Sequence, residues 1–147
     1  MSTAQTLMEM AGIDMTPASL EEACLLLIDY QNEYLEGPVA LPGAVAAVGT
    51  AKRLLAAARA AGAPVFHVAH RGQEGGLFDR AAARGALIDG LGPQEGETVI
   101  EKPMPNAFAQ TGLETALAAT GRAATPFLTQ RVTDLGLLAP GGVDVAI

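Results

Sequence analysis

Two charged residues sit where charge is least expected. Asp29 closes the run Ala-Cys-Leu-Leu-Leu-Ile-Asp-Tyr-Gln-Asn (23–32), and Lys102 follows the strand-like stretch Thr98 to Glu101, directly before Pro103. A carboxylate and an ammonium at two strand ends can together take up a proton and stabilise developing negative charge on a substrate oxygen or sulfur. Gln31, two residues beyond Asp29, reads as a further site residue. Each charge also has a plainer reading, Asp29 as the cap of a following turn and Lys102 as a surface lysine.

The elements around them follow a repeating pattern. Cys24 to Ile28 is an uninterrupted apolar run of strand length, as in a parallel strand covered on both faces. In open α/β sheets ligands bind at the carboxyl edge of such strands, which is where Asp29 and Gln31 would lie. Gly37-Pro38 and Pro42-Gly43 mark an irregular connection. Ala44 to Ala61 then carries apolar residues at helical spacing, with Val45, Val48, Leu54 and Leu55 on the expected buried side. Gly62 stops that helix, and Pro64 to His70 has the β-branched and aromatic content of a second strand. Arg71 to Glu97 is a long Gly-rich and charged segment able to wall a pocket, with a short helix expected at Asp79 to Ile88. Thr98 to Glu101 reads as a third strand, ended by the prolines at 103 and 105, and Gly112 to Ala119 as another amphipathic helix. Strand, helix, strand in this order predicts a three-layer α/β/α Rossmann-like parallel sheet, cut short after about three to four strands. Residues 1–22 read as an amino-terminal arm with a short helical turn, 23–122 as an incomplete α/β domain and 123–147 as a divergent tail. Within that tail Pro126 to Thr129 is a weak strand candidate, and Val132 to Leu138 reads as strand or helical turn.

Composition narrows the function classes. The chain has 147 residues, enough for one core, with half of them apolar and 17% charged, so a globular domain is expected rather than disorder. A formal net charge of −7 and the lack of a basic stripe argue against nucleic-acid binding. Apolar runs are too short to span a membrane and the start of the sequence lacks a signal-type core, so a cytoplasmic location is the expectation. The single cysteine, Cys24, can form neither an internal disulfide nor a cysteine-based zinc site. His67 and His70 are three apart, which on a strand sends them to opposite faces, and no metal or cofactor is expected. Gly72, Gly75 and Gly76 lack phosphate-loop spacing, so no nucleotide cradle is assigned.

Three stretches together, Leu-Leu-Leu-Ile-Asp29-Tyr-Gln31-Asn, His67-Val-Ala-His70-Arg71-Gly and Glu101-Lys102-Pro-Met-Pro-Asn106-Ala-Phe108, resemble the isochorismatase-like cysteine hydrolase superfamily in order and spacing. The resemblance covers roughly Ala23 to Arg122. It implies a six-stranded parallel sheet with helices on both faces and a catalytic Asp, Lys and Cys set acting on small amides, carbamoyl compounds or vinyl ethers. Asp29 matches the Asp and Lys102 the Lys. Gln31, His70, Arg71 and Asn106 fall on the side where substrate would bind, with Arg71 either holding an anionic group or simply solvated. Tyr34 and Phe108 would line an apolar pocket by the same resemblance, or belong to the core.

The sequence departs from that family at the nucleophile. The Gly-x-x-Thr-x-x-Cys turn that supplies the sulfur and the oxyanion-hole amides has no counterpart between Ala123 and Ile147. Cys24 is no substitute: five strand residues separate it from Asp29, roughly 17 Å, with the two side chains on opposite faces. It reads as a small buried hydrophobe. The expectation is thus a hydrolase-family chain acting on a small-molecule substrate with impaired turnover. The alternative is a non-catalytic module that docks on other chains through exposed strand edges, and the same edges favour association of like chains.

Overall fold

The computed structural model describes residues 7–12 and 19–122. The elements are α1 (Leu7–Met10), β1 (Leu25–Ile28), α2 (Glu33–Glu36), α3 (Ala44–Ala60), β2 (Val65–His70), a 3-10 turn (Ala83–Gly85), β3 (Thr98–Lys102) and α4 (Leu113–Ala118). In the arm, the Ser19 carbonyl accepts from the Glu22 and Ala23 amides, closing a turn that leads into β1. Both strand candidates of the 123–147 tail lie outside the described residues.

The sheet has the order β1-β2-β3, with β2 in the middle and parallel to both neighbours. The register pairs Leu25 with Val65 and Ile28 with Val68 on one side, and Phe66 with Thr98 and His70 with Lys102 on the other. Period-two alternation divides the strand side chains between two cores. Leu25, Leu27 and Val65 pack against Ala51, Leu54, Leu55 and Ala58 of α3, with Ile88 and Leu91 from the following loop. Cys24, Phe66 and Val68 pack on the other face against Ala107 and against Leu113 and Leu117 of α4. Helices therefore cover the sheet on both sides, the α/β/α layering that the continuous apolar strands predict.

Two local expectations are corrected. Val45 is 78% exposed, not buried. The buried stripe of α3 is Ala51, Leu54, Leu55 and Ala58, and at 3.6 residues per turn Val45 falls on the opposite side of the helix, so its apolar character misled. The helix expected at Asp79 to Ile88 shrinks to the turn Ala83–Gly85. Its backbone groups have partners elsewhere: the Ile88 amide donates to the Tyr30 carbonyl, the Asn32 amide to the Ala86 carbonyl, and Gln31 bridges Leu87. Asp79 accepts from the Gly75 and Ala81 amides, favouring a turn over a helix and holding its carboxyl below the usual range.

One polar cluster ties α3, β2 and the loop before β3 together. His67 is fully buried on the α3 side of β2 and donates through Nε2 to Glu97 Oε2 at 2.8 Å. Glu97 also accepts from Arg59 at 2.7 and 2.9 Å and from the Gln94 amide at 2.9 Å. The Arg59 hydrogen bonds, ahead of those from Gln94 and His67, hold the Glu97 carboxyl down at about 2, against an ordinary 4.5. Because the folded-state value is depressed, the stabilisation is complete above pH 4.5 and is lost as pH falls from there toward 2. Glu97→Gln should cost about 2 kcal/mol at neutral pH. Urea titrations of both proteins should show that gap closing as pH falls from 4.5 to about 2, and a gap independent of pH would contradict the assignment.

Candidate active site

At the carboxyl end of the sheet, β1 and β3 deliver the two charged residues to one place. The Lys102 ammonium lies 2.9 Å from Asp29 Oδ2 and donates to the Pro105 carbonyl at 2.9 Å. Lys102 is only 3% exposed, whereas the Asp29 side chain keeps 24%. Parallel pairing explains the meeting: β2 stands between the two strands, its His70 in register with Lys102, while the Val68 carbonyl accepts from the Asp29 amide. The prolines flanking Met104 turn the chain back so that the Pro105 carbonyl faces the ammonium.

Asp29 adopts a left-handed backbone, φ 60°. Such a conformation is uncommon outside glycine, and Asp and Asn are among the few residues that tolerate it. It turns the chain sharply at the strand exit and directs the carboxylate along the edge. Oδ2 is paired with Lys102, but Oδ1 is buried without a hydrogen-bond partner among the described residues. A lysine ammonium has three N–H groups, and two of them are engaged by Asp29 and Pro105. Among the described residues, the pair thus sets an uncommitted acceptor beside an ammonium with a third N–H.

The other expected site residues are placed unequally. Gln31 is fully buried, and its amide is fully engaged by backbone: Nε2 donates to the His70 and Gly85 carbonyls, and Oε1 accepts from the His70 amide. These bonds clip the end of β2 and the following loop to the exit of β1. His70 and Tyr34 converge on Phe78, with ring centroids 5.2 and 5.1 Å away. Burial, and then the nearby Asp29 charge, push the Tyr34 phenol up from 10.0. Arg71 is exposed, its amide donating to the Lys102 carbonyl. Asn106 turns inward on its own loop, Oδ1 accepting from the Phe108 amide at 2.9 Å, and Phe108 is half exposed. Cys24 is buried at the start of β1, with Sγ 3.5 Å from Thr120 Oγ1.

Glu33, Phe78 and Arg84 were not anticipated. Glu33 is fully buried in the first turn of α2 and accepts from Arg84 at 2.6 and 2.7 Å and from the Phe78 amide at 3.2 Å. A glutamate two residues beyond Gln31 carries no local sign of burial, because its partner is 51 positions away. Among the described residues no group of three or more His, Cys, Asp or Glu could hold a metal.

A parallel α/β sheet covered by helices on both sides, with an acid and an ammonium paired at its carboxyl edge, defines the class of fold. The comparisons narrow it: the isochorismatase domain model matches residues 23–127, and the chain belongs to the isochorismatase family. It is 36% identical over 114 residues to a secreted isochorismatase effector of Verticillium dahliae, covering 77% of this chain and 60% of that protein. It is also 36% identical to the maleamate amidohydrolase of Pseudomonas putida, covering 66% of this chain and 54% of that one. An isochorismatase structure from Pseudomonas putida aligns with a TM-score of 0.77 at 41% identity, over 91% of this chain and 75% of that chain. The chain thus spans a little over half the length of these two curated relatives.

The loop from Arg71 to Leu87 is packed backbone on backbone. A Cβ at Gly72 would lie 1.7 Å from the Leu77 carbonyl oxygen, and one at Gly85 would lie 2.0 Å from that of Asp79. Gly72→Ala should therefore lower stability by about 2–3 kcal/mol in urea denaturation. Gly92→Ala, where a Cβ meets nothing within 4 Å, should stay within about 0.5 kcal/mol of the parent.

Proposed function

We propose that this chain carries the acid–base half of a hydrolase site for small amides and carbamoyl compounds, with Asp29 as the proton acceptor and Lys102 as its electrostatic partner. The observation that carries the reading is Asp29 Oδ1, a buried acceptor without a partner among the described residues, beside a nearly dry ammonium. In this arrangement Oδ1 takes the proton from an incoming nucleophile, and Lys102 stabilises the charge that builds on the nucleophile or on the attacked carbonyl oxygen. Support for an amide substrate comes from two similar proteins, the maleamate amidohydrolase and an N-carbamoylsarcosine amidase from Thermoplasma acidophilum, the latter a structure with a TM-score of 0.61 at 28% identity. Arg71 at the mouth of the site suits a substrate that also bears a carboxylate.

In this reading the 147 residues provide no sulfur nucleophile. Cys24 is their one cysteine and sits at the opposite end of β1 from Asp29. Turnover by this chain is therefore proposed to be weak and independent of Cys24. Ammonia release from maleamate or N-carbamoylsarcosine by the purified chain tests this. Asp29→Asn and Lys102→Ala should each lower the rate on the order of 10²-fold or to background, while Cys24→Ala leaves it unchanged. Asn at position 29 is the informative change because it removes the charge while tolerating the left-handed backbone. Rates that survive in either site variant, or that vanish in Cys24→Ala, would remove this mechanism.

A second reading, an interaction module, is favoured by one feature: among the described residues β1 and β3 each pair on one side only. Co-purification of the chain in fixed stoichiometry with a longer family member, combined with absent turnover, would select it over the hydrolase.

A further inference from the structure

Beside the Asp29–Lys102 pair stands an aromatic wall that the chain builds with unusual care. Phe78 is its centre, between the rings of Tyr34 and His70. Its backbone is left-handed, φ 57°, a conformation that a bulky residue holds only when its surroundings impose it. Two contacts impose it. The Phe78 carbonyl accepts from the Gly72 amide at 3.0 Å, and the Phe78 amide donates to Glu33 Oε2 at 3.2 Å. Glu33 is held in turn by the bidentate Arg84, whose guanidinium keeps the carboxyl below the usual range. Room for the carboxylate exists because position 37 is glycine: a Cβ there would lie 2.2 Å from Glu33 Oε1.

We infer that Glu33 is a positioning residue that, through the Phe78 amide and Arg84, holds the Phe78 ring against Tyr34 and His70 as the apolar wall of the site and so selects flat, unsaturated acyl groups. The substrate half of this inference rests on the hydrolase reading above. The placement half does not. The rings are inclined, 51° between Tyr34 and Phe78 and 79° between His70 and Phe78, so a planar conjugated acyl group would lie flat against one ring face, which a tetrahedral aliphatic one cannot do. The acid–base pair needs neither Glu33 nor Phe78 for its own geometry, so the two functions separate.

The chain has no tryptophan and two tyrosines, Tyr30 and Tyr34, which makes the wall spectroscopically visible. In a Tyr30→Phe background, near-ultraviolet circular dichroism reports Tyr34 alone among the tyrosines. Glu33→Gln should abolish most of that signal with the far-ultraviolet spectrum unchanged. Gly37→Ala, whose Cβ would meet the Glu33 carboxylate at 2.2 Å and the Glu33 backbone carbonyl at 2.6 Å, keeps the charge and should do the same. If Glu33→Gln fails to fold, Gly37→Ala and Phe78→Leu decide the matter. An intact Tyr34 signal in folded Glu33→Gln or Gly37→Ala, or a signal unmoved by Phe78→Leu, would overturn the placement. For selection, cinnamamide and its saturated analogue 3-phenylpropanamide are compared as substrates. Glu33→Gln should shrink the preference for the unsaturated amide roughly 10-fold, through KM, with kcat for the better substrate nearly unchanged. A preference unaltered by the substitution would overturn the selection. Should the parent turn over maleamate but neither of these amides, the selection fails and the hydrolase reading stands; should it turn over none of the three, both fail, while the Tyr34 signal still decides whether Glu33 positions the wall.

Discussion

Lys102 carries a full charge where water hardly reaches, and most of the carboxyl edge is arranged around that fact. Moving an ammonium out of water costs several kcal/mol even after the protein relaxes. Two groups offset the cost, the Asp29 carboxylate and the Pro105 carbonyl, and they arrive from different parts of the chain. For Asp29 to reach the ammonium, β1 and β3 must lie parallel with one strand between them and end at the same level. The register of β2 with both neighbours sets that level. The sheet is thus a device for holding one ion pair as much as it is a hydrophobic core.

The segment immediately after Asp29 extends this control to the long loop. Within five residues, Tyr30 accepts from Ile88, Gln31 grips His70 and Gly85, Asn32 binds Ala83 and Ala86, Glu33 holds Phe78 and Arg84, and Tyr34 packs at a tilt against Phe78. A loop as long as Arg71 to Glu97 would ordinarily be mobile, since few such segments bury their backbone polar groups. Here the groups are satisfied by a neighbouring stretch only a few residues long. Displacement of that stretch would move the Asp29 carboxylate and the wall of the site together.

Much of this arrangement was legible in the sequence, and the parts that were not share a cause. The continuous apolar runs of β1 and β2 announced the parallel sheet, because a local pattern encodes burial on both faces, and Asp29 and Lys102 stood out as charges at strand ends. The buried side of α3 was legible at Leu54 and Leu55 but not at Val45, where hydrophobicity and helical phase disagree and phase decides. Glu33 and Gln31 were beyond local reading. Burial of a polar side chain depends on partners supplied by the loop tens of residues away, and a single sequence gives no sign of that pairing. His67 was legible as a strand histidine facing away from His70, but its partner Glu97 lies in the charged loop 30 positions away.

The left-handed backbone at Asp29 has an evolutionary consequence. Asparagine and glycine fit that conformation as well as aspartate does, and both are reached from aspartate codons by a single base change. Loss of the carboxylate would leave the turn unstrained, but it would strip the nearly dry Lys102 ammonium of its counter-charge. Descendants that keep this architecture after abandoning its chemistry are therefore expected to change Lys102 together with Asp29.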